Sequence, residues 1–372
     1  MRCATVCPLL ALALAACERT QGPAVVAPLP DVAPAPDVAP APDVAPTPDV
    51  APAPDVAPAP DAAPLPPCGD ASPLALARCV EAARYQSDLE SIAMPRVPAS
   101  AHWQVVQDLC ASRLTALGFA VERHAYGTGV NVVGVREGDA EPARRVLVGA
   151  HYDHIAGCAG ADDNASGVAG ALEAARVLSR RRFPRTLVVA CWDEEERGLI
   201  GSRAYATRAR SRAERIDAYF NFEMIGYVDR TPGSQRLPPG TALVFPAAAR
   251  EYEANQRRGD FVAAIGNARA AEAMASLERS ADRLGLPFIP LNLSEELMSS
   301  PLVADLRRSD HASFWDTGFP GVMLTDTSEF RYDRYHCRAG PDVTTGLDRT
   351  FSASVVAATV AAAAESLGLP PE

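Results

Sequence analysis

The chain has 372 residues, with 35 basic against 46 acidic side chains, a formal net charge of −11 and 33 prolines. Every basic residue is arginine and no basic stripe runs along the chain, which argues against nucleic-acid binding. An amino-terminal segment carries nearly half of the net negative charge. The remainder is mildly acidic and, at about 305 residues, long enough for one large α/β domain.

The first seventeen residues read as a targeting signal. Arg2 supplies a short positive region, and Pro8 to Ala16 (PLLALALAA) is apolar but too short to span a bilayer. The ending Leu14-Ala15-Ala16-Cys17 resembles a bacterial lipobox, which implies cleavage before Cys17, lipidation of its thiol and residence in a bacterial cell envelope. An ordinary secretory signal cleaved near Ala16 is the alternative; both take the protein out of the cytoplasm. Residues 18–67 follow as a Pro-rich linker. From Asp31 to Pro66 it repeats DVAPAP with small changes, so the missing N–H donors and fixed φ predict an extended, disordered polyproline II spacer. At about 3.1 Å per residue it reaches on the order of 100 Å.

Residues 68–372 carry the globular pattern. A helix is expected over Ala101 to Leu117, with Val106, Cys110 and Leu114 inward, and a strand near Val130 to Val135. Arg145 to Ala150 (RVLVGA) reads as a buried parallel strand, and it runs into His151–Gly167, HYDHIAGCAGADDNASG. A helix then follows, with Val168, Leu172, Ala175 and Leu178 on one face. Thr186 to Cys191 runs into Trp192-Asp193-Glu194-Glu195-Glu196, and Asp217 to Phe222 into Glu223. Arg230 to Arg258 is a long excursion, expected to wall a substrate cleft. A helix ending at Gly285, the segment Ser309-Asp310-His311, a strand over Pro320 to Leu324 and a closing helix over Phe351 to Leu367 complete the order. Loops after parallel strands gather at one sheet edge, where open α/β sheets build their sites. Imidazoles and carboxylates collected there suit a divalent ion, zinc above all, and are numerous enough for two ions sharing a carboxylate.

HYDH, GADDNASG, EERGLIGS, FEMIG and SDHASFWDTGFP, in this order, resemble the co-catalytic di-zinc aminopeptidase family. That family includes secreted bacterial leucine-type aminopeptidases, glutamate carboxypeptidase and glutaminyl cyclases. The resemblance covers essentially all of 68–372. It implies a single α/β/α sandwich with a mostly parallel central sheet, two zinc ions, peptide substrates and an aminopeptidase activity. By position, it implies His151 and Glu223 as ligands of the first zinc and Asp163 as the bridging carboxylate. Glu196 and His311 become ligands of the second zinc, and Glu195 the general base. Asp153 would orient the His151 ring. Tyr335 or His336 would serve as the oxyanion or substrate contact, and His154 stays open between a supporting and a packing role. Cys158 and Cys337 are expected to bridge across the site, Cys68 or Cys79 to pair with Cys110, and Cys191 to remain a buried thiol. Competing functions are a single-zinc glutaminyl-cyclase-like acyl transfer and a non-catalytic ectodomain; carboxypeptidase activity on acidic peptides also stays open.

Overall fold

The computed structural model describes residues 65–372; the expected signal, the lipidation site Cys17 and the linker up to residue 64 lie outside the described residues. In chain order the helices are α1 (Pro73–Ala77), α2 (Ala82–Ile92), α3 (Ala101–Ala116), α4 (Gly167–Leu178), α5 (Ile200–Ser211), α6 (Thr241–Val244), α7 (Pro246–Ala254), α8 (Ala271–Leu284), α9 (His311–Asp316) and α10 (Arg349–Ser366). The strands are β1 (Ala120–Ala125), β2 (Val130–Arg136), β3 (Glu141–His151), β4 (Arg185–Trp192), β5 (Arg215–Phe222), β6 (Val262–Asn267), β7 (Phe288–Leu293) and β8 (Val322–Thr325). They form one sheet in the order β1-β2-β4-β3-β5-β8-β6-β7. Its inner strands β4, β3, β5 and β8 are parallel, while β2 runs antiparallel to β4 and β6 antiparallel to β8.

Alternation along the inner strands decides the layers, because successive side chains leave a strand on opposite faces. Val146, Val148, Phe220 and Phe222 pack with Val168 and Leu172 of α4 and Val356 and Val360 of α10. Leu147, Val188, Trp192 and Tyr219 point to the other face, against Tyr205 and Ala209 of α5 and Phe314 of α9. Under α7, a third cluster joins Tyr252 to Ile265, Ile289, Leu291 and Met323. The product is the expected α/β/α sandwich with a mostly parallel centre. Among the described residues no helix is long and apolar enough to cross a membrane.

Chain order places the site. From β3 the chain passes through α4 to β4 on one side, then through α5 to β5 on the other side of β3. The strand order therefore reverses beside the carboxyl end of β3, where His151 closes the strand, and a crevice opens there. The turn 161–166 enters α4 so tightly that a Cβ on Gly167 would meet Asn164 Oδ1 at 2.2 Å and the Phe222 carbonyl at 2.9 Å. The glycine of the Ser-Gly pair is thus a steric requirement of the turn, while Ser166 ties it by donating to the Asp162 carbonyl and accepting from the Ile225 N–H.

The disulfides are Cys158–Cys337, as expected, and Cys68–Cys79. The expected partner Cys110 is instead a buried free thiol on α3, beside the buried Cys191 of β4. Cys79 sits within one helical turn of α1 and meets Cys68 at the start of the domain, while the Cys110 thiol faces Cys191. Phe220 is fully buried among α4, α10 and β3 side chains. Phe220→Ala is expected to cost about 3–5 kcal/mol, read as a lower midpoint with an unchanged slope in urea denaturation.

Candidate metal centre

Side chains from separate loops converge at the sheet edge. His151 Nε2 lies 3.5 Å from Asp163 Oδ1 and 3.3 Å from Glu223 Oε2. On the other side of Asp163, Oδ2 lies 3.2 Å from His336 Nε2, which is 3.1 Å from Glu196 Oε2. His154 Nδ1 lies 2.8 Å from Glu196 Oε1 and 3.9 Å from Asp163 Oδ1. Asp163 therefore stands between two groups, one with His151 and Glu223, the other with Glu196, the nearby His154 and the late His336. Glu195 Oε2 stands 3.9 Å from His151 Nε2, facing the same space without belonging to either group.

Each carboxylate and imidazole is held by its local backbone. Asp153 Oδ1 and Oδ2 accept the backbone N–H groups of Glu195 and Glu196, and Oδ1 lies 3.5 Å from His151 Nδ1. One buried carboxylate thus positions three site residues. Glu223 Oε2 accepts from Ser309 Oγ at 2.6 Å; Ser309 Oγ accepts from Asn221 Nδ2, and Asn221 Oδ1 accepts from the Tyr219 hydroxyl. The turn carrying Asp163 is gripped from both sides. Arg96, fully buried, donates to the carbonyls of Tyr152, Ala159, Gly160 and Asp163, while the Asp342 carboxylate accepts the N–H groups of Asp162 and Asp163.

The donor set fits a metal on an observation independent of any motif. His151 Nε2, His154 Nδ1, Asp163 Oδ2, Glu196 Oε1 and His336 Nε2 are all buried, all turned toward one another, and none has a hydrogen-bond partner among the described residues. Buried polar atoms are almost always paired, so a convergent set of unpaired nitrogen and oxygen donors points to a cation as their partner. Charge says the same. Burial and the facing carboxylates Glu223, Asp310 and Glu196 push the Glu195 carboxyl well above its ordinary range, against the pull of His151. Burial would lower His336, yet Asp163 and Glu196 raise it to about 9 in the metal-free chain. For His151, burial is likewise overridden, mainly by Glu223 and Glu195.

The structure brings together His151, Asp163, Glu195, Glu196 and Glu223 as expected, with Asp153 beneath them. It does not bring in His311. That ring opens α9, sets Nε2 2.9 Å from the Leu306 carbonyl, packs edge-on against Trp315 and is kept neutral by burial, its pKa lowered to about 3. Of its motif, Ser309 reaches the site and His311 points away. The place expected for His311 is taken by His336, which was expected only as an oxyanion or substrate contact. Tyr335 stacks on that ring at 3.9 Å and its hydroxyl accepts from Arg308. Asp162 accepts from the Gly226 N–H and is no part of either group. Arg96 carries no motif, and only its burial beside the turn reveals it.

A cleft open to solvent adjoins the centre at Glu223 and Tyr335. Its walls are largely apolar: Tyr252, Phe261, Ile265, Leu291 and Met323, with Leu237 and Ala248 from the 230–258 excursion. The excursion is thus a wall of the cleft, as expected, though it folds partly into α6 and α7.

Comparison with known proteins agrees with this geometry. The model of Peptidase family M28 matches residues 131–342. The uncharacterized protein YfbL of Escherichia coli is 33% identical over 204 residues, covering 51% of this chain and 58% of that protein. A probable zinc metalloprotease of Pyricularia oryzae is 30% identical over 258 residues, 65% of this chain and 50% of that one. The chain therefore spans about half the length of the curated relatives it matches. The LapA aminopeptidase of Legionella pneumophila superposes with a TM-score of 0.59 at 17% identity, over 80% of this chain and 75% of that chain, a likeness of fold.

Metal binding should be tightly linked to pH. A ligand imidazole must be neutral, and below about pH 9 His336 of the metal-free chain is protonated, so binding expels that proton. Apparent zinc affinity is expected to rise by about tenfold per pH unit for each proton released as the pH climbs toward 9. Competitive chelator titrations across that range would measure the slope; a flat profile would contradict it.

Proposed function

Since the chain belongs to peptidase family M28, we propose that it is a zinc-dependent aminopeptidase, exported and lipid-anchored through Cys17, that removes amino-terminal residues from peptides. The observation that carries this reading is the set of buried, unpaired ligand atoms around Asp163 with an uncommitted Glu195 beside them. His151, Asp163 and Glu223 would hold one ion, and Asp163, Glu196 and His336 the other. Bound there, the ions would lower the pKa of a water and polarise the scissile carbonyl.

The remaining work falls to protein groups. Glu195 carries a raised pKa because burial and neighbouring carboxylates disfavour its charge. That makes it a stronger base, able to take a proton from the attacking water and give it to the leaving amine. Asp153 fixes the Glu195 backbone and the His151 ring together. The apolar cavity beside Glu223 suits a large aliphatic or aromatic side chain at the residue being released. Two disulfides in the domain agree with export to an oxidising compartment, and the lipobox-like Leu14–Cys17 supports an anchor.

Glu195→Gln is expected to keep two zinc ions per chain while kcat/KM falls about 10²–10⁴-fold; full activity in that variant would sink the assigned base. In a panel of aminoacyl anilides, leucyl, methionyl and phenylalanyl substrates should be released well ahead of aspartyl or arginyl ones. One zinc per chain, with glutaminyl peptides cyclised and no anilide released, would favour the cyclase-like chemistry instead. Fatty-acid labelling of the wild type and not of Cys17→Ser would establish the anchor.

A further inference from the structure

We propose that His154 is a direct ligand at the second ion position, so that this position is closed by four protein side chains, Asp163, Glu196, His336 and His154, while the first keeps an open place. The inference rests on the two-ion reading above and concerns which atoms of this chain hold the ions.

His154 is fully buried, and neither ring nitrogen has a hydrogen-bond partner among the described residues. Its Nδ1 is 2.8 Å from Glu196 Oε1, close enough to pull that carboxyl's pKa down, and with Asp163 the two form a ligand group whose donor atoms all lie within 4.8 Å of one another. Ligand atoms on a tetrahedral zinc with bonds of about 2.0–2.1 Å lie roughly 3.3 Å apart. His336 Nε2 stands 3.2 and 3.1 Å from Asp163 Oδ2 and Glu196 Oε2, and His154 Nδ1 stands 3.9 and 2.8 Å from Asp163 Oδ1 and Glu196 Oε1, so the separations bracket that value with each ring on its own oxygen of each carboxylate. The rings of His154 and His336 meet edge to face at 5.8 Å, as two imidazoles around one centre would.

The backbone is built to bring this ring in. His154 N–H donates to the Arg96 carbonyl, and the Arg96 guanidinium grips the loop on the far side. Gly160, with φ of +56°, lies flat against the ring; a Cβ there would meet His154 Cδ2 at 2.5 Å and the Asp163 carbonyl at 2.1 Å. A residue that merely filled space would not need a glycine, a buried arginine and two empty nitrogens.

Structural zinc sites take four protein ligands and catalytic ones three, leaving a place for water. By that rule the second position is the tighter, retained ion, and the first, held by His151, Asp163 and Glu223, is the exchangeable one. The two positions should therefore separate on graded chelation.

The test uses the full-length chain, stripped of metal and titrated with Co²⁺, with visible absorption and bound equivalents both recorded. The wild type should bind two equivalents, one at least tenfold tighter. In His154→Gln the tight equivalent should weaken by more than the roughly 10–100-fold that losing a hydrogen-bonding partner of a ligand costs, and its d–d spectrum should change. His154→Cys should show a thiolate-to-cobalt charge-transfer band, which only direct ligation produces. An unchanged spectrum in His154→Gln together with no such band in His154→Cys would overturn the inference, with the two-ion reading intact. A wild type that binds fewer than two equivalents would overturn the two-ion reading itself.

Discussion

The constraint on which the structure turns is the gathering of carboxylates out of water at one sheet edge. Asp163, Glu195, Glu196 and Glu223 lie within a few ångströms of one another, and burying like charges together is costly unless cations share the space. Interleaved imidazoles supply part of that compensation, which is why His151 and His336 hold their protons so strongly in the metal-free chain. In the proposed reading, a divalent ion at each of two points would supply the rest.

Such a cluster stays in place only if its backbone is held from outside, and the supports come from every side. Asp153 collects the N–H groups of the Glu195-Glu196 loop, and Asn164 accepts from Gly167 and Met224 while donating to the Phe222 carbonyl. Arg96 takes the carbonyls of the Asp163 turn and Asp342 its N–H groups, so the turn is clamped between opposite charges. The Tyr219–Asn221–Ser309 relay sets the longer reach of Glu223. In each case a side chain satisfies backbone groups that a tight, water-free loop would leave exposed.

What the sequence disclosed follows the same division. His151, Asp163, Glu195, Glu196 and Glu223 each stand at a fixed offset from a buried parallel strand, so hydrophobic runs located them. His336 does not. It sits at φ of +55° in an irregular segment whose position comes from the Cys158–Cys337 bridge, a link of 179 residues that no periodicity encodes. Ser309-Asp310-His311 misled because its serine does serve the centre while its histidine turns to the Leu306 carbonyl; spacing cannot tell which way a ring points. Arg96 lies before the region with recognisable motifs. Strand β6, VAAIGN, is small-residue rich because α8 packs close upon it, with Met274 against Gly266, and so it lacks the β-branched signature.

The bridge explains how a site drawn from such distant segments can be specific. Cys158 is anchored in the loop that carries His154, and Cys337 directly follows His336, so the disulfide brings the two imidazoles within 5.8 Å of each other beside Glu196. Before any ion binds, the chain has thus already met the entropy cost of closing its longest site loop. An ion placed among His154, Glu196 and His336 then joins segments that covalent and hydrogen-bonded supports have brought within reach. Bound to the folded state and not to the unfolded chain, such an ion would stabilise the fold in proportion to the logarithm of its concentration over its dissociation constant. Chemistry and architecture therefore share the same residues: the ligands that would hold the ions are also the last ties between the β3 loop and the carboxyl-terminal third of the domain.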